Sequence, residues 1–320
     1  MVTFEDVLSA RERINKFIYK TPLELSYSLS NEHTKIFLKL ESQQRLKSFK
    51  VRGALSKMTW LSEESRTEGV IAVSSGNHGA GVSFASYMLG GIKAKIFVPK
   101  TTPKAKLTKI KYYGAEVIET GENYDEAHKE AEEARKKEKL TFIDPCSDIQ
   151  VIAGQGSIAF EILDENPDID VIIAPIGGGG LITGISVAAK HLKPSIEIIG
   201  VQTAACPAMV AALRDKQCYF DYKSEESICD ALVGGVGEIP YEMAAKCIDD
   251  IIVVNEETIR KAIVQLIEKD KVIAEPAGAA SVAAIIENME RFKGKNVAVV
   301  VSGGNLDERL MYELLGYKYN

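Results

Sequence analysis

Short runs of β-branched and other apolar residues alternate along this chain with longer stretches whose polar positions recur at helical spacing. That alternation is the pattern of mostly parallel sheets covered by helices on both faces, so the fold class is α/β. The runs predict strands at 35–39, 69–73, 94–98, 116–119, 171–176, 197–202 and 297–301. The longer stretches predict helices within part of 21–32 and over 79–89, 102–112 and 256–269. Residues 124–137 interleave acids and bases at helical spacing, which reads as a solvated helix face laced with (i, i+4) pairs rather than a partner surface.

At 320 residues and 46% apolar content, the chain has material for two lobes. No repeat, low-complexity tract or Pro- or Ser-rich linker separates them, so the lobes interleave in sequence. A net charge of -6 supplies no basic surface, which argues against nucleic acid as a main partner. No apolar segment approaches the ~20 residues needed to cross a bilayer, and the N-terminus lacks a basic stretch followed by an apolar one. A cytoplasmic protein without a membrane partner is the expectation. The five cysteines (Cys146, Cys206, Cys218, Cys229, Cys247) are odd in number and form no Cys-x-x-Cys pair, so they read as inert thiols. The histidines show no ligand spacing, and no metal is expected.

Three strand-to-loop junctions and one lysine carry the candidate chemistry. The strand at 171–176 runs into Gly177-Gly178-Gly179-Gly180 and then into the apolar helical stretch beginning at Leu181. Successive glycines at a helix N-terminus turn several N–H groups towards one anion, which makes a phosphate cradle. Ile182 and Thr183 stand where a dinucleotide fingerprint needs glycine, and no Gly-Lys-Ser/Thr follows at P-loop spacing, so the phosphate belongs to something smaller. The loop Ser74-Ser75-Gly76-Asn77-His78-Gly79 opens another helix and suits a carboxylate or phenolate oxygen, although a simple N-cap also explains one of its serines. The strand at 297–301 ends in Ser302-Gly303-Gly304-Asn305. Ligands of open α/β sheets bind beyond the carboxyl ends of strands, so these loops can share a crevice. Lys50 lies in Ser48-Phe49-Lys50-Val51-Arg52-Gly53-Ala54. Desolvation beside Phe49 would favour its neutral amine and make it a Schiff-base former; read locally, it could equally be a surface lysine covering apolar area.

Six motifs in order then give the chain a resemblance to the pyridoxal-phosphate enzymes of the tryptophan-synthase β type, in the threonine/serine dehydratase and serine racemase branch. They are Ser48 to Ala54, Ser74 to Gly79, Ala153-Gly154-Gln155-Gly156, Gly177 to Gly180, Glu275-Pro276-Ala277-Gly278-Ala279, and Ser302 to Asn305. The resemblance implies fold type II, with a small lobe over 54–145 and a large cofactor-binding lobe from 1–53 and 146–320. It implies that Lys50 holds pyridoxal 5'-phosphate and acts on Cα. The amides of Gly177, Gly178, Gly179, Gly180 and Leu181 would hold the phosphate, Asn77 the ring oxygen, and Phe49 and Ala231 the ring faces. Ser75, Gly76, Asn77 and His78 would receive the substrate carboxylate. Ser302 would face the pyridine nitrogen, where a neutral hydroxyl makes the ring a weaker electron sink than an acid would and favours loss of a β-hydroxyl.

The resemblance thus implies an ammonia-lyase converting threonine, and serine, to a 2-oxo acid and ammonia, working as a homodimer or homotetramer. The competing readings are an amino-acid racemase using Ser75 as a second catalytic acid/base, and a non-catalytic cofactor-binding regulatory homologue. Two departures qualify the match. Family members often carry Thr-Gly where this chain has Leu46-Lys47, and metal-binding members place acids in the loop where it has Gln202-Thr203-Ala204-Ala205-Cys206. The end of the sequence at Asn320 leaves no expectation of a C-terminal regulatory domain.

Overall fold

A computed structural model of the chain describes residues 1–316, and the hydrophobic runs in it form two separate sheets. The strands are β1 (Leu23–Leu25), β2 (Lys35–Leu40), β3 (Val70–Val73), β4 (Ala94–Val98), β5 (Glu116–Glu119), β6 (Thr141–Phe142), β7 (Val171–Pro175), β8 (Glu197–Thr203), β9 (Asp250–Val254) and β10 (Asn296–Val301). The helices are α1 (Phe4–Ile14), α2 (Lys50–Trp60), α3 (Glu63–Glu68), α4 (Asn77–Met88), α5 (Lys104–Tyr112), α6 (Tyr124–Glu138) and α7 (Ile149–Glu165). They continue as α8 (Gly180–Leu192), α9 (Ala208–Asp215), α10 (Glu238–Cys247), α11 (Glu256–Gln265), α12 (Pro276–Asn288) and α13 (Glu308–Leu314). One sheet has the order β1-β2-β10-β7-β8-β9 and the other β5-β4-β3-β6. All neighbours are parallel except β1 with β2.

Strands buried on both faces split their residues between two cores by simple alternation. Ile172, Ala174, Ala298 and Val300 pack with Val7, Ile158 and Ile182 of α1, α7 and α8. Val171, Ile173, Val297 and Val299 pack on the opposite face with Ile259 of α11 and Ala280 of α12. The smaller sheet repeats the scheme, with Val70 and Ala72 facing α2 and α4 while Ile71 and Val73 face α6. All seven strands expected from the sequence are present. The helix expected within 21–32 is not, because Leu23–Leu25 pairs with β2 and the serines that follow satisfy the backbone instead. Leu29 donates its N–H to the Ser26 hydroxyl and Ile36 to that of Ser30, local bonds that compete with a helical ladder. Strands β1, β6 and β9 were not expected; β6 has two residues, too few to register as a run. No helix among the described residues is long and apolar enough to cross a membrane.

A seam of glycines brings α2, α7 and α8 together at backbone distance. A Cβ at Gly154 would lie 2.5 Å from Arg52 O, one at Gly156 2.5 Å from Gly184 O, and one at Gly184 2.2 Å from Ile152 O. This explains the Ala-Gly-Gln-Gly motif: its glycines are there for helix packing. On α2, at the seam itself, the fully buried Arg52 reaches two acids with its side chain. Its Nε and Nη2 donate to Glu41 (2.8 Å each), and its Nη1 and Nη2 donate to Glu161 (2.7 and 2.9 Å). Lys39 of β2 also donates to Glu161 (2.6 Å) and to the Thr21 carbonyl (2.6 Å). Burial works against the Arg52 charge, but Glu41 and Glu161 overcome it and hold its pKa above the ordinary value.

Gly184→Ala is expected to cost about 1–3 kcal/mol through forced separation of α7 and α8. Arg52→Leu strands a buried Glu41 carboxylate and is expected to cost about 3–5 kcal/mol. Urea unfolding of the two variants checks both, and a wild-type midpoint for either would show that its contact carries no stability.

Candidate active site

The carboxyl ends of β3, β7 and β10 open towards the start of α2. Main-chain bonds fix this junction: Phe49 N donates to Ser302 O (3.2 Å), Gly304 N to Lys47 O (2.8 Å), and Ser48 bridges Gly303. Lys50 is the first residue of α2, partly buried, with Nζ donating to Pro145 O (3.1 Å) and lying 5.3 Å from the centre of the Phe49 ring. Burial lowers its pKa, opposed in part by the nearby carboxylates of Asp144 and Glu275. Cys146 is itself a neutral thiol, since burial, with Asp144, pushes its pKa up to about 12.

Cys146 joins the lysine to the tetraglycine. A Cβ at Gly178 would lie 2.4 Å from its Sγ, and one at Gly180 2.9 Å from its carbonyl oxygen. Gly177 is closed by Ala231 O at 2.9 Å, and Gly179, at φ +93°, by Pro240 Cβ at 2.6 Å. Each of the four positions therefore excludes a side chain for a separate reason. Helix α8 starts at Gly180 with no side-chain cap, so its first N–H groups are offered to an external anion. Leu181 is buried in the core and can contribute only its N–H. This cradle fits a phosphate group.

The β3 loop lies across the cleft on α4. A Cβ at Gly79 would meet Ser74 O at 2.2 Å, and one at Gly81 would touch Lys50 backbone atoms at 3.4 Å, so α4 packs directly over the lysine. Ser75 and Gly76 are partly exposed at the helix start. His78 turns away: its side chain is buried and Nε2 donates to Ile143 O (2.8 Å). Burial, then Lys50, lowers its pKa to about 4, so the ring is neutral and only its main chain can serve an anion. Asn77 donates Nδ2 to Glu275 Oε1 (2.8 Å) and accepts at Oδ1 from Asn305 Nδ2 (2.6 Å). Ser302 is 3% exposed, and its hydroxyl donates to Ala277 O (3.4 Å).

Sequence reasoning passed over Glu275, Cys146 and Lys109. Burial, with Asp230, raises the Glu275 pKa to about 7. Its signal was present, since it opens the Glu-Pro-Ala-Gly-Ala motif. Cys146 had none beyond its position before α7. The run Gln202 to Cys206 serves packing, with Gln202 Oε1 accepting the N–H groups of Met209 and Val210 at the start of α9.

Residues 14–303 match the family of pyridoxal-phosphate dependent enzymes. The L-threonine ammonia-lyase of Thermotoga maritima is 41% identical over 317 residues, which cover 98% of this chain and 78% of that one. Among solved structures, the processed form of threonine deaminase isoform 2 from Solanum lycopersicum aligns with a TM-score of 0.92 at 32% identity, covering 98% of this chain and 91% of that one. Maize serine racemase aligns with a TM-score of 0.91 at 29% identity, covering 98% and 97%. These structures share the two-sheet arrangement of fold type II, with helices on both faces of each sheet. A side-chain-free phosphate cradle, a desolvated lysine beside it and a match over nearly the whole length lead to one conclusion: the chain belongs to the family of pyridoxal-phosphate dependent enzymes.

Proposed function

We propose that the protein is a threonine ammonia-lyase that also accepts serine. The observation that carries this is the placement of Lys50 Nζ on Pro145 O, with the next residue, Cys146, packed into the tetraglycine cradle. The 41% identity to an L-threonine ammonia-lyase supports the choice of substrate. In this reading the N–H groups of Gly177 to Gly180 and Leu181 would hold the cofactor phosphate, and Lys50 Nζ would be the amine that anchors the group. Phe49 and Ala231 would pack on the ring, Asn77 Nδ2 would donate to the ring oxygen, and Ser302 Oγ would face the pyridine nitrogen. Pyridoxal phosphate, when bound, withdraws electrons from Cα.

The chain's own groups then account for the proton movements. The N–H groups of Ser75 to His78, at the start of α4, receive the substrate carboxylate and orient Cα. Lys50 Nζ would take the Cα proton, and the burial that lowers its pKa favours the neutral amine that this role needs. Ser302 would offer the pyridine nitrogen no acidic proton, and the electrons of the Cα–H bond would form a Cα–Cβ double bond as the β C–O bond breaks, the proton and the hydroxyl leaving together as water. The released enamine hydrolyses to a 2-oxo acid and ammonia.

The proposed small lobe, 54–145, is supported by the four-stranded sheet, whose strands all fall between Val70 and Phe142. Its first boundary falls inside α2, which makes a helix rather than a linker the connection. A homodimer or homotetramer in the cytoplasm completes the proposal. The likeness to maize serine racemase favours one second reading, a racemase in which Ser75 returns a proton to the opposite face of Cα.

Lys50→Ala is expected to abolish lysine-linked cofactor absorbance and to lower threonine deamination on the order of 10³-fold, measured by 2-oxo acid release; intact deamination would refute the assignment. Chiral analysis of residual serine is expected to show 2-oxo acid formation ahead of any D-serine. Rapid D-serine accumulation without 2-oxo acid would establish the racemase instead.

A further inference from the structure

Four side chains form a directional hydrogen-bond chain from the smaller sheet's helices to the cleft. Lys109 of α5 donates Nζ to Asn305 Oδ1 (2.6 Å), Asn305 donates Nδ2 to Asn77 Oδ1 (2.6 Å), and Asn77 donates Nδ2 to Glu275 Oε1 (2.8 Å). A second set of bonds anchors the far end. The Leu46 carbonyl accepts from both Lys109 Nζ (3.0 Å) and Asn305 Nδ2 (2.8 Å).

Leu46 and Lys47 both lie at φ 59°, in the left-handed region where a side chain costs about 1 kcal/mol per residue. These are the positions where the sequence departs from Thr-Gly. The turn they make presents the Leu46 carbonyl to Lys109.

The two ends of the chain decide the orientation of the amides between them. An asparagine amide has nearly the same shape either way round, so its partners choose which atom points where. Lys109 is a donor without acceptor capacity and forces Asn305 to present Oδ1. Asn305 is then left with Nδ2 and forces Asn77 to present Oδ1 in turn. The Asn77 Nδ2 group therefore lies on the Glu275 side, with one N–H for the carboxylate and a second to spare.

Glu275 alone would not fix this. Burial and Asp230 raise its pKa to about 7, with Lys109 and the two asparagines pulling the other way and Lys50 also nearby. Around neutral pH it is protonated part of the time and can donate as well as accept. Lys109 is held as a donor by its two acceptors: Nζ donates to Asn305 Oδ1 and to the Leu46 carbonyl, and the Glu275 charge opposes the burial that lowers its pKa, favouring the ammonium, which has no lone pair to accept with.

We propose that Lys109 is a positioning residue which, through Asn305, locks the Asn77 amide so that Nδ2 donates to the cofactor's ring oxygen. The inference rests on the assignment of Asn77 made above, and adds that contact between α5 and the Leu46-Lys47 turn sets the cofactor's hydrogen bonding.

The test compares wild-type, Lys109→Met and Lys109→Arg holoenzymes. Three quantities are read: the pH midpoint of the cofactor's visible band, the cofactor dissociation constant by fluorescence, and the thermal midpoint. Methionine is expected to shift the pH midpoint and weaken cofactor binding about three- to tenfold, the worth of one hydrogen bond, with little change in thermal midpoint. Arginine, also donor-only, is expected to restore both. The proposal is overturned if methionine leaves both spectroscopic readings at wild-type values. It is equally overturned if arginine and methionine alter them alike, which would mark a structural role. None of these readings depends on threonine turnover, so a failed substrate assignment would leave the comparison intact.

Discussion

The lysine's surroundings depend on one buried guanidinium. Arg52 lies two residues beyond Lys50 on α2, with no exposed surface, and holds Glu41 from the loop after β2 and Glu161 from α7 at the same time. Once buried, those carboxylates have no alternative partner of comparable strength beyond Lys39, so the three segments cannot separate without exposing an unpaired charge. The helix that starts at Lys50 is thereby fixed in rotation and in height against the sheet. The glycine seam acts in concert, because helices at backbone distance have no room to slide.

Cleft geometry follows from that fixed start. Pro145 O and Cys146 belong to the segment entering α7, and α7 is held by Glu161 and by the seam. The lysine and the phosphate cradle are therefore registered to each other through one rigid helix pair. The β3 loop is attached differently. It reaches the larger sheet through side-chain amides and Glu275, bonds between neutral or partly protonated groups that break at lower cost than the ion cluster beneath.

Much of this was legible in the chain. The strands that form the sheet interiors declare themselves because burial on both faces demands continuous apolar runs, as in Val171–Pro175 and Asn296–Val301. Gly177 to Gly180 announce the cradle because no other residue type fits those four positions. Legibility fails where tertiary contact decides. Residues 23–25 become a strand only by pairing with β2, and serine caps then end the segment. Arg52 reads locally as one charged residue among many, since its partners are 11 and 109 residues away. The part played by Lys109 is invisible in sequence for the same reason: Asn305 lies 196 residues further on.

A cradle made of main chain alone has an evolutionary corollary. With no side chain at Gly177 to Gly180, no single replacement within the loop can strengthen its grip on phosphate, and any replacement meets Ala231, Cys146 or Pro240. Variation in cofactor affinity has to come from the packing behind the loop. Cys146 and Pro240, which close on the glycines from behind, are the places where natural sequences can drift and where a designer could adjust how firmly the cofactor is held.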